Sequence, residues 1–448
     1  MRAKRPTRAV LIGLDGAIAA RVCAYAREGK LPAIQKLIEG GVLAQNSIVP
    51  FPTITPPNWT TIATGAWPGT HGLTCFYVHT PGDPLGKIRP GYNSGDCQAE
   101  YVWEAAERAG KKSIVLNYPS TWPSRLKDGI QIGGAGVCVN EWRTDFPAPS
   151  VGPTYRCTLS DEHLFSVEFY PGSDDVEFAE AFGWDNMPQS HLPPLEATLK
   201  FVHYKSKFRV EGEVWHFLVF DEKGAGYDRV IVSLKKDANA AFANLGVGEW
   251  TKTVTRGFET ERGPKRAAFR CKLLELSSDA EKFRLYVTPI SALDGWSHPE
   301  DIAQELSCEN GIPIVNGGFL ASTLEWVDPQ TFLEILDLEH NWLADAAVHL
   351  LREKEWDLFL MHVHGPDWLY HCFSNKMDPA TAGNVREPQQ YQDYELSMYQ
   401  GLDRMIQRIQ SAIPDDSLVI VVSDHGCKAE GRHFAASRVL LNKSGQLL

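Results

Sequence analysis

Residue types that bind divalent metal ions follow three separate apolar segments of the sequence. Asp15 comes directly after residues 9–14. Residues 418–422 are followed by one serine and then by Asp424 and His425. The third set follows residues 357–361 and contains His362, His364, Asp367 and His371. Carboxylate and imidazole together suit zinc or manganese, whereas calcium and magnesium favour sites made entirely of oxygen. The sequence therefore predicts a metal centre whose ligands come from three distant parts of the chain.

Three buried strands are predicted to position these ligands. Residues 9–14, 357–361 and 418–422 are near-continuous apolar runs, which are typical of strands covered on both faces of a parallel sheet. Helical patterns alternate with the strands, around residues 34–38, 101–109, 332–351 and 398–409. This alternation predicts an α/β fold with a mostly parallel sheet flanked by helices. Such sheets bind ligands at the carboxyl ends of their strands, so the three sets are expected to meet there.

The spacing within the third set adds a local argument. Asp367 and His371 are four residues apart, so a helix at this place presents both side chains on one face toward a common ion. An Asp–His pair alone is weak evidence, because core histidines often have a carboxylate partner. Three ligand sets together are difficult to explain by packing.

A candidate nucleophile lies at the start of a predicted helix. Residues 51–65 pass from an extended segment to an apolar-periodic run, with Pro57 suited to the first helical position. Thr55 would lie at or just before the helix N-terminus, where free backbone N–H groups and the helix dipole stabilise negative charge. By itself such a hydroxyl is an ordinary helix cap. The three ligand sets and the nearby Asn58 favour the interpretation of Thr55 as a nucleophile.

The middle of the chain has a different pattern. From about residue 145, segments rich in β-branched and aromatic residues alternate with Gly, Asp and Lys clusters, as in antiparallel sheets. These segments are residues 198–204, 213–220, 229–234, 267–276 and 283–290. Because this region has no dense set of metal-ligand residues, we interpret it as an inserted β-rich cap that shapes access to the site. The predicted division is a first part of the core at 1–145, a cap at 146–297 and a second part at 298–448.

Composition limits the classes of partner. The 448 residues carry a formal net charge of −12, which argues against a nucleic-acid polymer as partner, since phosphate tracking needs clustered Lys and Arg. The nine cysteines are odd in number and contain no CxxC pair, which favours a reducing compartment. No segment approaches the ~20 apolar residues of a membrane span. We therefore expect a cytoplasmic protein, and the sequence leaves its oligomeric state open.

Five motifs in this order resemble the type I phosphodiesterase/nucleotide pyrophosphatase family of the alkaline phosphatase superfamily. They are Val10-Leu11-Ile12-Gly13-Leu14-Asp15-Gly16, Thr53-Ile54-Thr55-Pro56-Pro57-Asn58-Trp59, Thr64-Gly65 through Gly69-Thr70-His71-Gly72, Asp367-x-x-x-His371, and Val422-Ser423-Asp424-His425-Gly426. The resemblance covers both predicted α/β segments. It implies an alkaline-phosphatase-like fold and a phosphodiesterase that acts on a small phosphate ester.

The resemblance also implies roles for individual residues. Two divalent ions are expected, zinc first and manganese as the alternative. One ion would be held by Asp15, Thr55, Asp424 and His425, and the other by Asp367, His371 and a further histidine. Thr55, activated by metal coordination, would attack phosphorus in line and form a phosphothreonine that water then cleaves. Asn58 would donate a hydrogen bond to a phosphoryl oxygen.

The further histidine is where this sequence departs from the family pattern. In the family it comes from a segment well beyond the Asp-His-Gly motif, whereas this chain ends at Leu448, so we expect the family's C-terminal segment to be lacking. His433 is the expected ligand, with His362 or His364 as substitutes. If none of them completes the site, we expect a non-catalytic protein that binds metal or phosphate.

Four related activities compete with phosphodiester hydrolysis. A sulfatase needs an oxidisable Cys or Ser followed by Pro and then Arg, and Thr55-Pro56-Pro57-Asn58-Trp59 offers neither the oxidisable residue nor the Arg. A phosphoglycerate-type mutase uses related ligands with a Ser nucleophile in a different setting. A phosphomonoesterase or a phosphotransferase of the same superfamily stays open beside the phosphodiesterase.

Overall fold

A computed structural model defines the fold. It describes residues 5–44, 47–84, 87–133, 150–152, 155–158, 173–175, 177–200, 214–258, 264–288, 290–312, 322–323, 325–379 and 387–428. The helices in these ranges are α1 Ala19–Arg27, α2 Pro32–Gly40, α3 Thr55–Thr64, α4 Pro68–His71, α5 Val102–Arg108, α6 Asp301–Asn310, α7 Pro329–Glu353, α8 Gly365–Met377 and α9 Glu387–Gln410. Two short 3-10 helices lie at Ser94–Asp96 and Ala238–Ala240.

The strands are numbered in chain order. They are β1 Ala9–Leu14, β2 Tyr77–His79, β3 Ile88–Pro90, β4 Ser113–Leu116, β5 Ile130–Ile132, β6 Ser150–Gly152, β7 Tyr155–Thr158, β8 Ser173–Asp175, β9 Ala179–Glu180, β10 Leu195–Lys200, β11 Val214–Phe220, β12 Arg229–Ser233, β13 Ala241–Gly246, β14 Val254–Phe258, β15 Lys265–Phe269, β16 Cys271–Leu276, β17 Phe283–Val287, β18 Ile290–Ala292, β19 Ser297–His298, β20 Leu358–Val363 and β21 Leu418–Val422.

A six-stranded sheet forms the centre of the α/β part. Its strand order is β19-β5-β4-β20-β1-β21. β1 pairs in parallel with β20 on one side and β21 on the other, and β4 pairs in parallel with β20 and β5. β19 pairs antiparallel to β5. The prediction of a mostly parallel sheet is confirmed.

Helices cover both faces of this sheet. Successive side chains of a strand point to opposite faces, so Val10 and Ile12 of β1 belong to an apolar cluster with residues of α2, α7, α8 and α9. Leu11, between them, packs on a second cluster that contains Trp59 of α3 and Trp103 of α5. A near-continuous apolar strand is therefore required at β1, because each of its faces meets a helix layer. None of the helices in the described ranges has the length and apolarity needed to cross a membrane.

One predicted strand differs from its expected environment. Residues 418–422 were expected to form a buried strand, and β21 instead lies at the edge of the described sheet. Leu418, Ile420 and Val421 are 45%, 39% and 37% exposed. The prediction of burial was wrong because an apolar run indicates a strand without indicating whether a second strand covers its outer side.

The β-rich middle of the chain forms three further sheets. β13-β12-β11-β10-β9 is a five-stranded antiparallel sheet, and two four-stranded sheets have the orders β14-β15-β18-β6 and β16-β17-β7-β8. The side chains between them form a separate buried cluster that includes Trp215, Phe217 and Phe269. The antiparallel prediction is confirmed for most of these pairs, while β7 and β8 are parallel.

Two of the predicted strands in this region are each divided. Residues 267–276 contain the end of β15 and all of β16, which belong to different sheets and meet at Arg270. Residues 283–290 likewise contain β17 and the start of β18. The backbone N–H of Arg270 donates to Thr288 Oγ1 at 3.0 Å, and the N–H of Thr288 donates to the carbonyl of Arg270 at 2.9 Å. This pair of hydrogen bonds joins the two segments at the point where each passes from one sheet to the other.

A buried histidine where α7 packs against α8 is expected to make the stability of the protein depend on pH. His340 is 2% exposed and its Nε2 has no hydrogen-bond partner among the described residues. A Cβ on Gly365, the first residue of α8, would lie 2.4 Å from that nitrogen, so the two helices touch here. Burial lowers the pKa of His340 from 6.5 to about 4, against the opposing effect of Asp337.

Because the unfolded chain binds this proton more readily, stability is expected to fall as the pH drops from about 6.5 toward 4. Between pH 7 and pH 5 the loss in the free energy of unfolding from this group is about 2 kcal/mol. Denaturant titrations of the wild type and of His340→Leu at both pH values measure it. The variant should lose less stability on acidification than the wild type, and equal losses in both proteins would contradict the assignment.

Candidate functional site

The carboxyl ends of three adjacent strands bring the predicted ligand sets together. β1 lies between β20 and β21, and Gly13 is paired with both His362 and Val422. The backbone N–H of Asp15 donates to the carbonyl of Val363 at 2.9 Å, which continues the pairing past the strand end. The side chains that follow each strand therefore project into one volume, as parallel sheet geometry requires.

Four donor atoms, one each from Asp15, Thr55, Asp424 and His425, lie close together. Thr55 Oγ1 lies 3.5 Å from Asp15 Oδ1 and 3.4 Å from His425 Nε2. His425 Nε2 lies 3.5 Å from Asp15 Oδ1 and 3.2 Å from Asp424 Oδ2. The ligands of a tetrahedral zinc ion, at about 2.0–2.1 Å from the metal, are separated from one another by about 3.3–3.4 Å. The four separations above are close to this value.

Thr55 is the first residue of α3. Ile54 occupies the N-cap position in an extended conformation, and no side chain caps the helix. The Thr55 hydroxyl is therefore not used as a cap, and it faces Asp15 and His425 instead. Pro57 was expected at the first helical position but lies at the third, because the helix begins at Thr55.

The side-chain amide of Asn58 lies on α3, about one turn after Thr55. Its side chain is 1% exposed, and neither Oδ1 nor Nδ2 has a hydrogen-bond partner among the described residues. A buried amide without partners carries a free-energy penalty, of about 1–3 kcal/mol for an unsatisfied group. Such a group is suited to a ligand that supplies the missing partner.

The electrostatics of Asp424 show that the cluster is suited to a cation. Asp424 Oδ1 accepts a hydrogen bond from the Gly16 N–H at 3.1 Å, whereas Oδ2 is buried and accepts none from the residues that the structure describes. Burial and the nearby Asp15 carboxylate raise the pKa of Asp424 well above its ordinary value. A divalent cation would satisfy the free oxygen and offset the repulsion between the two carboxylates. These residues therefore fit a metal ion.

Asp15 is held in one orientation by two groups behind it. Its Oδ2 accepts a hydrogen bond from Trp59 Nε1 at 2.8 Å and lies 2.8 Å from His362 Nε2. This leaves Oδ1 directed at Thr55 and His425. Burial alone raises the pKa of Asp15, but His364 and His362 outweigh it, so the pKa of Asp15 is lowered. Trp59 gave no functional signal in the sequence, because its apolar helical spacing indicated only a core residue.

A second cluster forms on α8. Asp367 Oδ2 lies 3.2 Å from His371 Nε2, so the predicted one-face arrangement of this pair is present. His364 Nε2 is 3.2 Å from the same oxygen. Burial raises the pKa of Asp367, but the hydrogen bonds from His364 and His371 outweigh it and lower that pKa. Burial lowers the pKa of His364, yet Asp15 and Asp367 raise it to about 9. Both imidazoles must release a proton before they bind a metal ion.

The structure brings most of the predicted site residues into one place. Asp15, Thr55, Asp424 and His425 are joined by contacts of 3.5 Å or less. Asp367 and His371 contact each other on α8, and Asn58 is buried one turn beyond Thr55 on α3. His433 lies outside the described residues. Two groups of side chains have ligand atoms close enough to share an ion, Asp15 with Asp424 and His425, and Asp15 with His362 and His364. The sequence marked His362 and His364 as ligand types but did not indicate what each contacts.

Comparison with known proteins identifies the family. The family described as Type I phosphodiesterase / nucleotide pyrophosphatase matches residues 9–208 and 317–446. No curated protein matches the sequence. Two similar solved structures are of phosphonoacetate hydrolase from Sinorhizobium meliloti 1021. The complex with phosphonoformate has 15% identity and a TM-score of 0.37, and the complex with phosphonoacetate has 13% and 0.39. In both, 94% of this chain is covered, and it spans 57% of the other chain. Because the family match covers more than half of the sequence, the chain belongs to the type I phosphodiesterase/nucleotide pyrophosphatase family.

Proposed function

We propose that the protein is a two-metal phosphoric ester hydrolase of the phosphodiesterase or nucleotide pyrophosphatase type, with a covalent phosphothreonine at Thr55. The observation that carries the proposal is the spacing of Thr55 Oγ1 among the donor atoms of Asp15 and His425, at 3.5 Å and 3.4 Å. A hydroxyl at a helix start that caps nothing and lies among metal-ligand atoms is suited to act as a nucleophile. Family membership supports the reaction class.

The residues assigned to the two ions follow from the two clusters. Asp15, Thr55, Asp424 and His425 would hold one ion, and Asp367 and His371 would hold the other with one more histidine. When bound, zinc or manganese supplies Lewis-acid stabilisation of the charge on the nucleophile, the phosphoryl group and the leaving oxygen. The mixture of carboxylate and imidazole donors supports these metals over calcium or magnesium.

The chain's own residues supply position and hydrogen bonding. Thr55 Oγ1 attacks phosphorus, and its bond to phosphorus forms as the bond to the leaving oxygen breaks. The buried Nδ2 of Asn58, which has no partner in the described residues, donates to a non-bridging phosphoryl oxygen. Water then cleaves the ester between Thr55 and phosphorus, which releases a phosphomonoester from a diester substrate and restores the Thr55 hydroxyl. The substrate is a small phosphate ester rather than a nucleic-acid polymer, as the net charge of −12 suggests.

Asn58→Ala is expected to lower kcat about 10²- to 10³-fold, the usual effect of removing one hydrogen-bond donor to a developing oxyanion. The physical reason is that the amide meets its partner only when the phosphoryl group is present. Steady-state kinetics on a diester measure the change, and the metal content of the variant serves as the control. A variant with unchanged kcat and only a raised KM would contradict this role.

The reaction class is tested with three chromogenic esters. Purified protein is assayed with zinc or manganese on bis-p-nitrophenyl phosphate, p-nitrophenyl phosphate and p-nitrophenyl sulfate. We expect turnover of the diester to exceed that of the monoester, to disappear on chelation and to return when metal is added. Preference for the monoester would favour a phosphomonoesterase or a phosphotransferase. A metal-loaded protein that cleaves none of the esters would instead be a binding protein.

The domain division and the compartment belong to the same proposal. We assign residues 146–297 to a cap inserted between two parts of the core at 1–145 and 298–448. The assignment is supported by β6 to β18, which form sheets separate from the central one, and by β5 and β19, which pair on either side of that insertion. A cytoplasmic location is supported by the cysteines, none of which forms a disulfide where the structure describes their side chains.

A further inference from the structure

The backbone that follows Asp15 is held by side chains from distant parts of the sequence. The N–H groups of residues 16 and 17 donate to the side chains of residues 424 and 423, at 3.1 Å and 3.0 Å. The N–H of Ile18 donates to the hydroxyl of Tyr399 on α9, at 3.2 Å. Tyr399 belongs to neither ligand cluster, so it links the loop after β1 to another part of the fold.

Tyr399 continues this contact to α8. Its hydroxyl oxygen lies 2.9 Å from that of Tyr370, the residue before His371. The Tyr370 hydroxyl lies 2.6 Å from Glu395 Oε1, which is one turn before Tyr399 on α9. An ionised carboxylate only accepts hydrogen bonds, so Tyr370 donates to Glu395 and Tyr399 donates to Tyr370. These bonds form one chain from Ile18 on the loop to Glu395 on α9, with the two tyrosines between them.

Glu395 is the fixed end of this chain. Its side chain is fully buried, and its Oε2 accepts hydrogen bonds from Arg21 Nε at 2.6 Å and from the Tyr25 hydroxyl at 2.7 Å. Arg21 and Tyr25 are four residues apart on α1 and therefore share one helical face. A buried carboxylate is stable when it is paired and its oxygens accept hydrogen bonds, and Glu395 meets both conditions. It therefore joins α1, α8 and α9 at one point.

We propose that this hydrogen-bonded chain positions α8 relative to the loop after β1, with Tyr370 and Tyr399 as positioning residues. The loop begins at Asp15 of the first ligand cluster, and α8 carries Asp367 and His371 of the second. Both tyrosines are buried, so they act through the backbone that they hold and not by contact with a substrate. This inference rests on the proposed function, because the two clusters need a fixed separation only if they act on one phosphoryl group.

Amide hydrogen exchange tests the connection without an assay of activity. Tyr370→Phe removes one hydroxyl of the chain and leaves Ile18 and Tyr399 in place. We expect exchange at the Ile18 N–H to become about fivefold faster, the factor that corresponds to one ordinary hydrogen bond. Mass spectrometry of the peptide that contains residues 16–18 measures it.

Tyr25→Phe is the matched control. It also removes a phenol hydroxyl that donates to Glu395, but Tyr25 lies outside the path from Ile18 to α8. Both variants should lower the denaturant midpoint by similar amounts, whereas Tyr25→Phe should leave exchange at Ile18 unchanged. Equal acceleration in the two variants, or acceleration in neither, would overturn the proposal.

Kinetics test whether the connection matters for turnover. With a phosphodiester and saturating zinc, we expect Tyr370→Phe and Tyr399→Phe each to lower kcat about 10- to 100-fold, because small displacements of reacting groups are costly. KM should change little, and Tyr25→Phe should keep the kcat of the wild type. A general loss of stability would instead affect Tyr25→Phe and Tyr370→Phe alike, and that result would contradict a positioning role.

A double variant shows whether the two tyrosines act as one unit. If they do, Tyr370→Phe combined with Tyr399→Phe should lower kcat no further than the more affected single variant. Effects that multiply would show that each hydroxyl acts separately and would refute the chain. A wild type that cleaves no phosphate ester would remove the proposed function, and hydrogen exchange would then decide by itself whether the connection exists.

Discussion

Replacement of Thr55 by alanine is expected to reduce kcat for a phosphodiester by about 10⁵-fold or more, the scale on which loss of a catalytic nucleophile acts in other hydrolases. The reason is that, in the proposed mechanism, Thr55 Oγ1 both attacks phosphorus and supplies one of the four donor atoms of the first ion. The direct measurement is acid quenching of wild-type turnover followed by mass spectrometry of the peptide that contains Thr55. We expect the wild-type peptide to carry on Thr55 the phosphoryl group with its remaining ester, left after the first alcohol departs, and the variant peptide to carry none.

The same helix provides a matched control. Thr60 is also buried on α3, and its Oγ1 donates to the carbonyl of Pro56 at 2.8 Å. Thr60→Ala removes a hydroxyl of the same kind, with an expected cost of about 1 kcal/mol in stability and little change in kcat. Thr55→Ser keeps a nucleophile and should retain measurable turnover. If Thr55→Ala stays within about tenfold of the wild type, direct attack by water would replace the phosphothreonine mechanism.

Asp424→Ala is expected to lower the metal content from two ions per chain to about one and to reduce turnover by about 10³-fold or more. Asp424 supplies a buried carboxyl oxygen that has no hydrogen-bond partner among the described residues and lies 3.2 Å from His425 Nε2. Without the Asp424 carboxylate, the first ion of the proposed site would have only one carboxylate ligand, Asp15. Atomic emission on the zinc-saturated variant, together with diester kinetics, measures both effects.

Asp403 is the matched control for a buried carboxylate outside the site. Its two oxygens accept the backbone N–H groups of Ala33 and Ile34 at the start of α2, at 3.1 Å and 2.9 Å. Asp403→Ala removes these bonds and should lower stability while it leaves two ions bound. If Asp424→Ala also retains two ions, Asp424 is not a ligand and the first cluster must be reassigned.

The sequence predicted those features of the site that depend on the geometry of one strand or one helix. Asp15 follows β1 and Asp424 follows β21, and parallel strands necessarily place their following residues at one edge. Asp367 and His371 share a helical face because four residues make about one turn. Each of these placements follows from the geometry of the backbone along one strand or helix. They could therefore be predicted from spacing alone.

Other features of the fold depended on packing between elements. β21 lies at the edge of the described sheet, and the strands change sheets at Arg270. Both features depend on strands that are distant from each other in the sequence. The apolar pattern is the same for a central strand and an edge strand, and for one long strand and two that meet. Local pattern therefore predicted the existence of these strands but not their surroundings.

The tertiary structure alone decided how the site is oriented. Trp59 and His362, from α3 and β20, hold Asp15 Oδ2 and thereby direct Oδ1 at Thr55. The same packing leaves the amide of Asn58 without a partner in the described residues and places His364 between Asp15 and Asp367. The sequence by itself determined which residue types reach the strand ends, because the helix and strand periods act locally. Which atom of each side chain faces which partner could be read only from the structure. Each of these contacts joins two elements, and no local sequence pattern specifies their relative position.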